Sequence, residues 1–177
     1  MKVPREARYD AIALMGALCL FFSTLEYLIP KPVPFFRLGL ANLPILLSLS
    51  IFTPADVLLL VALKVIGQGL VNGTLASYVF LFSAAGSLAS VAVMLVVHRF
   101  GSRWVTLIGV GVFGALASNS VQITLSVTFI FGDAAWVIAP LFLGIGVASG
   151  FMVGLVAERF RARSRWLGSM KERYRGP

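Results

Sequence analysis

SYVFLFSAAGSLASVAVMLVV, residues Ser77–Val97, runs for 21 residues without a charged side chain. A helix of that length rises about 30 Å, the thickness of a bilayer's hydrocarbon core. Five further stretches of the same character flank it: Asp10–Ile29, Phe36–Phe52, Ala55–Val71, Val105–Ile130 and Ala134–Ala157. Together they fill most of the 177 residues. The chain is 59% hydrophobic and 12% charged, with a mean hydropathy of +0.94, far from the composition of a soluble domain. The reading is an all-α integral membrane protein with six transmembrane helices. A short segment (1–9) precedes the membrane domain (10–160), and a basic tail (161–177) follows it.

The basic residues orient the bundle. Lys2, Arg5, Arg8, Arg99, Arg103, Arg159, Arg161, Arg163, Arg165, Lys171, Arg173 and Arg175 fall on one side of the six spans, and only Lys31 and Arg37 on the other. Cytoplasmic loops carry the Lys/Arg excess, so both termini are expected in the cytoplasm and the protein in the cytoplasmic (inner) membrane. The net charge of +8 follows from this topology and from attraction to anionic headgroups, and it calls for no nucleic-acid partner. The first apolar stretch is too long for a signal-peptide core and reads as a retained span. Cys19 is the only cysteine and His98 the only histidine, which leaves no pattern for a metal cluster.

Polar residues inside the spans then become the clues. Lys64 lies near the middle of the third span, where an ionisable group costs a few kcal/mol unless paired or hydrated. Gln68 and Asn72 follow at one and two turns on the same face. Asn119, Gln122 and Ser126 are spaced through the outer half of span five, and Ser83, Ser87 and Ser90 through span four. Glu26 closes span one, and Arg37 and Asn42 open span two. These positions predict a polar pocket in the outer half of the bundle, made cationic by Arg37 and Lys64, for an anionic or multiply hydrogen-bonding solute. The competing reading is that Lys64 pairs with Glu26 or snorkels while the amides tie helices together.

Small residues form a second pattern. Ala13 and Ala17 share a face of span one, and Gly146, Gly150 and Gly154 recur every fourth residue in span six. Such stripes let backbones approach closely in lipid, within one chain or between two. Pro30, Pro32 and Pro34 stiffen the first outer loop, either as a lid carrying Phe35, Phe36 and Arg37 or as a plain connector.

Catalytic signatures are missing. The seven acidic residues make no Asp-rich motif, and there is no phosphate-binding glycine loop, nucleophile elbow or His cluster. The expectation is a protein that is not an enzyme and has no cofactor.

The run Pro32-Val33-Pro34-Phe35-Phe36-Arg37-Leu38-Gly39-Leu40-Ala41-Asn42 resembles the signature of the Gx transporter family, also labelled heptaprenyl diphosphate synthase component I. Leu63-Lys64-Val65, Ser83-Ala84-Ala85-Gly86-Ser87 and Asn119-Ser120-Val121-Gln122 agree more weakly. The family often has Gly-Gly in span four and His before the span-five Asn; this chain has Ala85-Gly86 and Ser118-Asn119. The resemblance implies the six-helix fold of the substrate-binding S components of energy-coupling factor (ECF) transporters. It further implies docking through Ala13 and Ala17 to a transmembrane coupling subunit driven by two ATPase subunits. On that view Arg37 and Lys64 neutralise a small-molecule substrate, with Asn42, Gln68, Asn119 and Gln122 orienting it and Glu26 nearby. Flavin-type vitamins and isoprenoid or quinone precursors are the candidate solutes. The alternative is a non-catalytic accessory or assembly subunit of a membrane redox or prenyl diphosphate synthase system.

Overall fold

The computed structural model describes residues 5–28, 39–101 and 104–175. Its elements are α1 (Arg5–Leu28), a 3-10 turn (Leu40–Asn42), α2 (Leu43–Ser48), α3 (Pro54–Val71), α4 (Tyr78–Gly101), α5 (Leu107–Ser126), α6 (Ala135–Arg163) and α7 (Arg165–Arg175). Four helical stretches are long and apolar enough to cross a membrane: Ala7–Leu28, Pro54–Val71, Tyr78–Gly101 and Leu107–Arg163. The last folds back on itself as α5 and α6, through a π turn and a 3-10 turn at Gly132 (φ 55°).

Glycine contacts fix the directions of the helices. Gly67 lies against Leu20 and Gly16 against Leu60, so α1 and α3 run parallel. Gly86 faces Ser118 and Gln122 while Gly114 faces Met94, which makes α4 and α5 antiparallel. Gly111 meets Gly150, and Gly154 meets Ile108, so α6 returns antiparallel to α5. Substituting a methyl at Gly150 would bring it within 2.8 Å of the Gly111 carbonyl, so the glycine stripe is an internal seam. Gly144, off that stripe, faces open space.

One end of the bundle therefore gathers the start of α1, the end of α4, the end of α6 and α7, with Arg8, Arg99, Arg159, Arg161, Arg163 and Arg165. The opposite end carries Asp133 and, among the described residues, no Lys or Arg. Helix ends are closed by ordinary chemistry. Thr53 and Asp56 form a capping box at the start of α3, and Arg8 donates to the Asp56 carboxylate at 3.0 Å, joining α1 to α3. Gly73 (φ 64°) ends α3, with the Thr74 N–H reaching back to the Gly69 carbonyl. The Glu158 carboxylate of α6 accepts the Leu107 N–H at the start of α5.

The expected second span, Phe36–Phe52, is corrected: over its described part it is not one helix. Pro44 has no N–H to offer the Leu40 carbonyl and its ring crowds that group, so the 3-10 turn and α2 meet there instead of forming a continuous helix. The chain still descends through the bundle, from Gly39 and Leu40 beside Glu26 to Thr53 beside Arg8. Residues Pro44–Phe52 are buried throughout. Within the basic tail, Arg165–Arg175 forms a helix. Ser164 is extended and breaks it from α6, while its hydroxyl accepts the Leu167 N–H. Leu167 is buried, the Tyr174 ring packs edge-on against Phe52, and the Tyr174 hydroxyl donates to the Ala7 carbonyl.

Burial is divided along the bundle axis. Ile12, Met15, Leu46, Val57, Leu60, Val61, Val91 and Val110 form an apolar core toward the basic end. Ser23, Glu26, Lys64, Gln68, Ser83, Ser87, Asn119, Gln122 and Ser126 are buried toward the other. Outward faces are apolar, as Leu59, Ile66, Leu88, Val137, Leu141 and Met152 show, and such an extensive apolar surface suits a lipid solvent.

Candidate functional site

Glu26, near the end of α1, is buried and its carboxylate accepts the N–H of Gly39 (3.2 Å) and of Leu40 (3.0 Å). These are first-turn donors that the 3-10 helix cannot satisfy itself. Gly39 sits at φ 77°, a left-handed conformation that other L residues adopt at a cost, which explains glycine at this place in the sequence. The carboxylate thus anchors the turn that presents Asn42.

Asn42 Oδ1 accepts a 2.6 Å hydrogen bond from Lys64 Nζ, which also donates to Ser87 Oγ of α4 at 3.3 Å. Lys64 is only 3% exposed, and a buried ammonium is tolerable only with such partners. On α5, Asn119 Nδ2 donates to the Phe142 carbonyl of α6 at 2.9 Å, and Gln122 Nε2 donates to Ser118 Oγ at 3.0 Å. Gly146 and Gly86 make room for these amides, since a methyl there would stand 2.1 Å from Asn119 Nδ2 or 2.7 Å from Gln122 Nε2.

Glu26, Asn42, Lys64, Ser83, Ser87, Ser118, Asn119, Gln122 and Ser149 surround one cavity of about 30 Å³. That is room for about one water. Among the described residues, Ser83 Oγ and Gln122 Oε1 are fully buried with no hydrogen-bond partner, so part of this wall has bonding capacity left over. The cavity combines an ammonium, a carboxylate, amides and hydroxyls, the equipment for orienting a polar solute.

Five of the expected site residues, Glu26, Asn42, Lys64, Asn119 and Gln122, come together here. Gln68 is buried one turn from Lys64, with its Oε1 unpartnered, but does not line the cavity. Arg37 lies outside the described residues, as do the loop prolines Pro30, Pro32 and Pro34. The described wall therefore carries one cation and one anion, and the expected cationic surplus rests on Arg37 alone. Ser118 and Ser149 were missed as site residues. A hydroxyl at each of these positions in apolar helices was the available signal. Among the described residues no three His, Cys, Asp or Glu side chains gather as a metal site would need.

Residues 15–160 match the protein family described as heptaprenyl diphosphate synthase component I. The chain belongs to that family. The matched region contains every residue around the cavity, all of α2 to α5, α1 from Met15 onward and α6 up to Phe160. No curated protein and no solved structure matched the chain in the same comparisons. In this family member Ala13 and Ala17 are exposed on α1, on a face that also shows Leu14, Leu18, Phe21 and Leu25.

Proposed function

We propose that this chain is the solute-capturing membrane subunit, of the ECF S-component type, of an uptake transporter for a small polar or anionic metabolite. The observation that carries this reading is the convergence of Glu26, Asn42, Lys64, Asn119 and Gln122 from separate elements on one buried cavity remote from the basic end. The positive-inside rule puts the basic end in the cytoplasm and the cavity in the outer half of the membrane. Counting the buried descent from Gly39 to Thr53, the chain makes six passes, with both ends on the cytoplasmic side. The word component in the family description suits a subunit that works with partners. Ala13 and Ala17, exposed on an apolar face, are the proposed contact for a coupling subunit carrying two ATPases. The chain itself performs no reaction on this view. A cavity of about 30 Å³ is too small for a flavin or an isoprenoid precursor, so capture of either requires the cavity walls to move apart.

The test is mass spectrometry of small molecules released from gently purified protein, comparing wild type with Lys64→Met and Ser87→Ala. A solute enriched in wild type, lost in Lys64→Met and reduced in Ser87→Ala is expected. Well-folded samples that carry nothing above a membrane-protein control would overturn capture. The small cavity also favours a second reading, an accessory or assembly subunit in which Lys64 ties the Leu40–Asn42 turn, α3 and α4 together. In that case Lys64→Met lowers the yield of a partner complex while no solute is found in any sample.

A further inference from the structure

A second, larger hollow lies at the basic end, and the solute reading makes no use of it. It is a groove of about 770 Å³ between the end of α4, the start of α5, the turn after α2 and the last turns of α6. His98, Arg99 and Arg161 line it, and no acidic residue does. Glu158 bonds Arg161 at 2.5 Å from outside the lining and holds that guanidinium in place. The rest of the wall is largely apolar, with Val96, Phe100 and Trp104 at its rim. Phe100 is 80% exposed and Trp104 88% exposed.

We propose that this groove binds an anionic phospholipid of the leaflet facing the basic end. Its volume is that of a ligand site and not a packing defect. Its lining combines cationic and apolar side chains, which matches a molecule with an anionic head and hydrocarbon chains. A soluble anion would leave Val96 and Phe100 without purpose. The groove also sits where α4 ends and α5 begins, the depth at which headgroups lie and where Trp and basic residues gather. Arg99 and Arg161 meet the phosphate, while Val96, Phe100 and Trp104 border the chains. Each basic residue in contact with the bound phosphate favours an anionic over a neutral lipid by about fivefold.

The experiment uses the whole chain in nanodiscs with Trp104 as its single tryptophan, after Trp136→Phe and Trp166→Phe. Brominated phosphatidylglycerol and brominated phosphatidylcholine are compared as quenchers. Stronger quenching by phosphatidylglycerol is expected, with a relative affinity of at least about fivefold. Arg99→Gln should remove most of that preference and Arg99→Lys should keep it. Arg163→Gln, exposed at the same end but outside the groove, should leave it unchanged. Equal quenching by the two lipids overturns the site and leaves the groove to a protein partner. An equal loss from Arg163→Gln and Arg99→Gln also overturns it, because the attraction is then diffuse.

Discussion

Lys64, Asn42 and Glu26 form a short relay in which a carboxylate holds a turn, the turn holds an amide, and the amide holds an ammonium. Removing the carboxylate leaves two N–H groups of a partly buried turn unsatisfied, at about 1–3 kcal/mol each. Glu26→Ala should therefore lower the melting temperature in detergent more than Ser87→Ala, which removes one long hydrogen bond; the reverse order would contradict the relay. Gly39→Ala should cost about 1–2 kcal/mol in the same assay, from its left-handed backbone. Part of this site was legible in the sequence. Lys64 declared itself because a charge inside an apolar run must be explained, and helical spacing put Asn119 and Gln122 on nearby faces. The pairing of Lys64 with Asn42 was not legible, since it joins residues 22 apart across a turn whose geometry local pattern does not encode. Gln68 shows the limit of the face argument. It shares a face with Lys64, yet a turn of axial offset takes it away from the cavity wall.

At the scale of elements, the α5–α6 seam is the firmest contact to test. At Gly150 an added methyl meets backbone of α5 at 2.8–2.9 Å, and backbone cannot swing aside as a side chain can. Gly150→Ala should destabilise the protein by about 1–3 kcal/mol, read as a lower melting temperature, while Gly144→Ala, with no atom within 4 Å, should change little. The stripe itself was plain in the sequence, but its partner was not, because four-residue spacing fits a neighbour in the same chain as well as one in another. Helix α3 departs from the expected stretch by one residue, while α1 begins five residues before Asp10, α6 runs six beyond Ala157, and Pro44 divides the second stretch. The basic tail was read without a secondary structure, although Leu167, Met170 and Tyr174 stand at three- and four-residue spacing on the helix Arg165–Arg175.

For the molecule as a whole, the sorting of basic residues to one end makes a prediction about sidedness. Cys19 is fully buried, so the native chain offers a silent background for thiol labelling. Asp133→Cys should react with a membrane-impermeant maleimide in intact cells, and Ser169→Cys only after permeabilisation. Labelling in the opposite pattern would invert the bundle and turn the polar cavity toward the cytoplasm. The all-helical, membrane-spanning class was the most legible level of all, since apolar length needs no long-range information. Buried polar residues are concentrated away from the basic end, although Ser48, Ser50, Asp56 and Ser90 are buried toward it.

The enclosed descent through Pro44–Phe52 bears on how the chain is made. Lipid can accept a hydrophobic segment as it leaves the ribosome only if that segment is long enough to satisfy its own backbone across the bilayer, about 20 residues as a helix. A six-residue helix walled in by its neighbours does not meet that condition, so its final form must await the helices that enclose it. Asn42 enters the cavity from the 3-10 turn that leads into that stretch. The newborn protein therefore completes its cavity late in biogenesis, after later segments have been threaded and folded back, and a truncated nascent chain would sit in the membrane without a working interior.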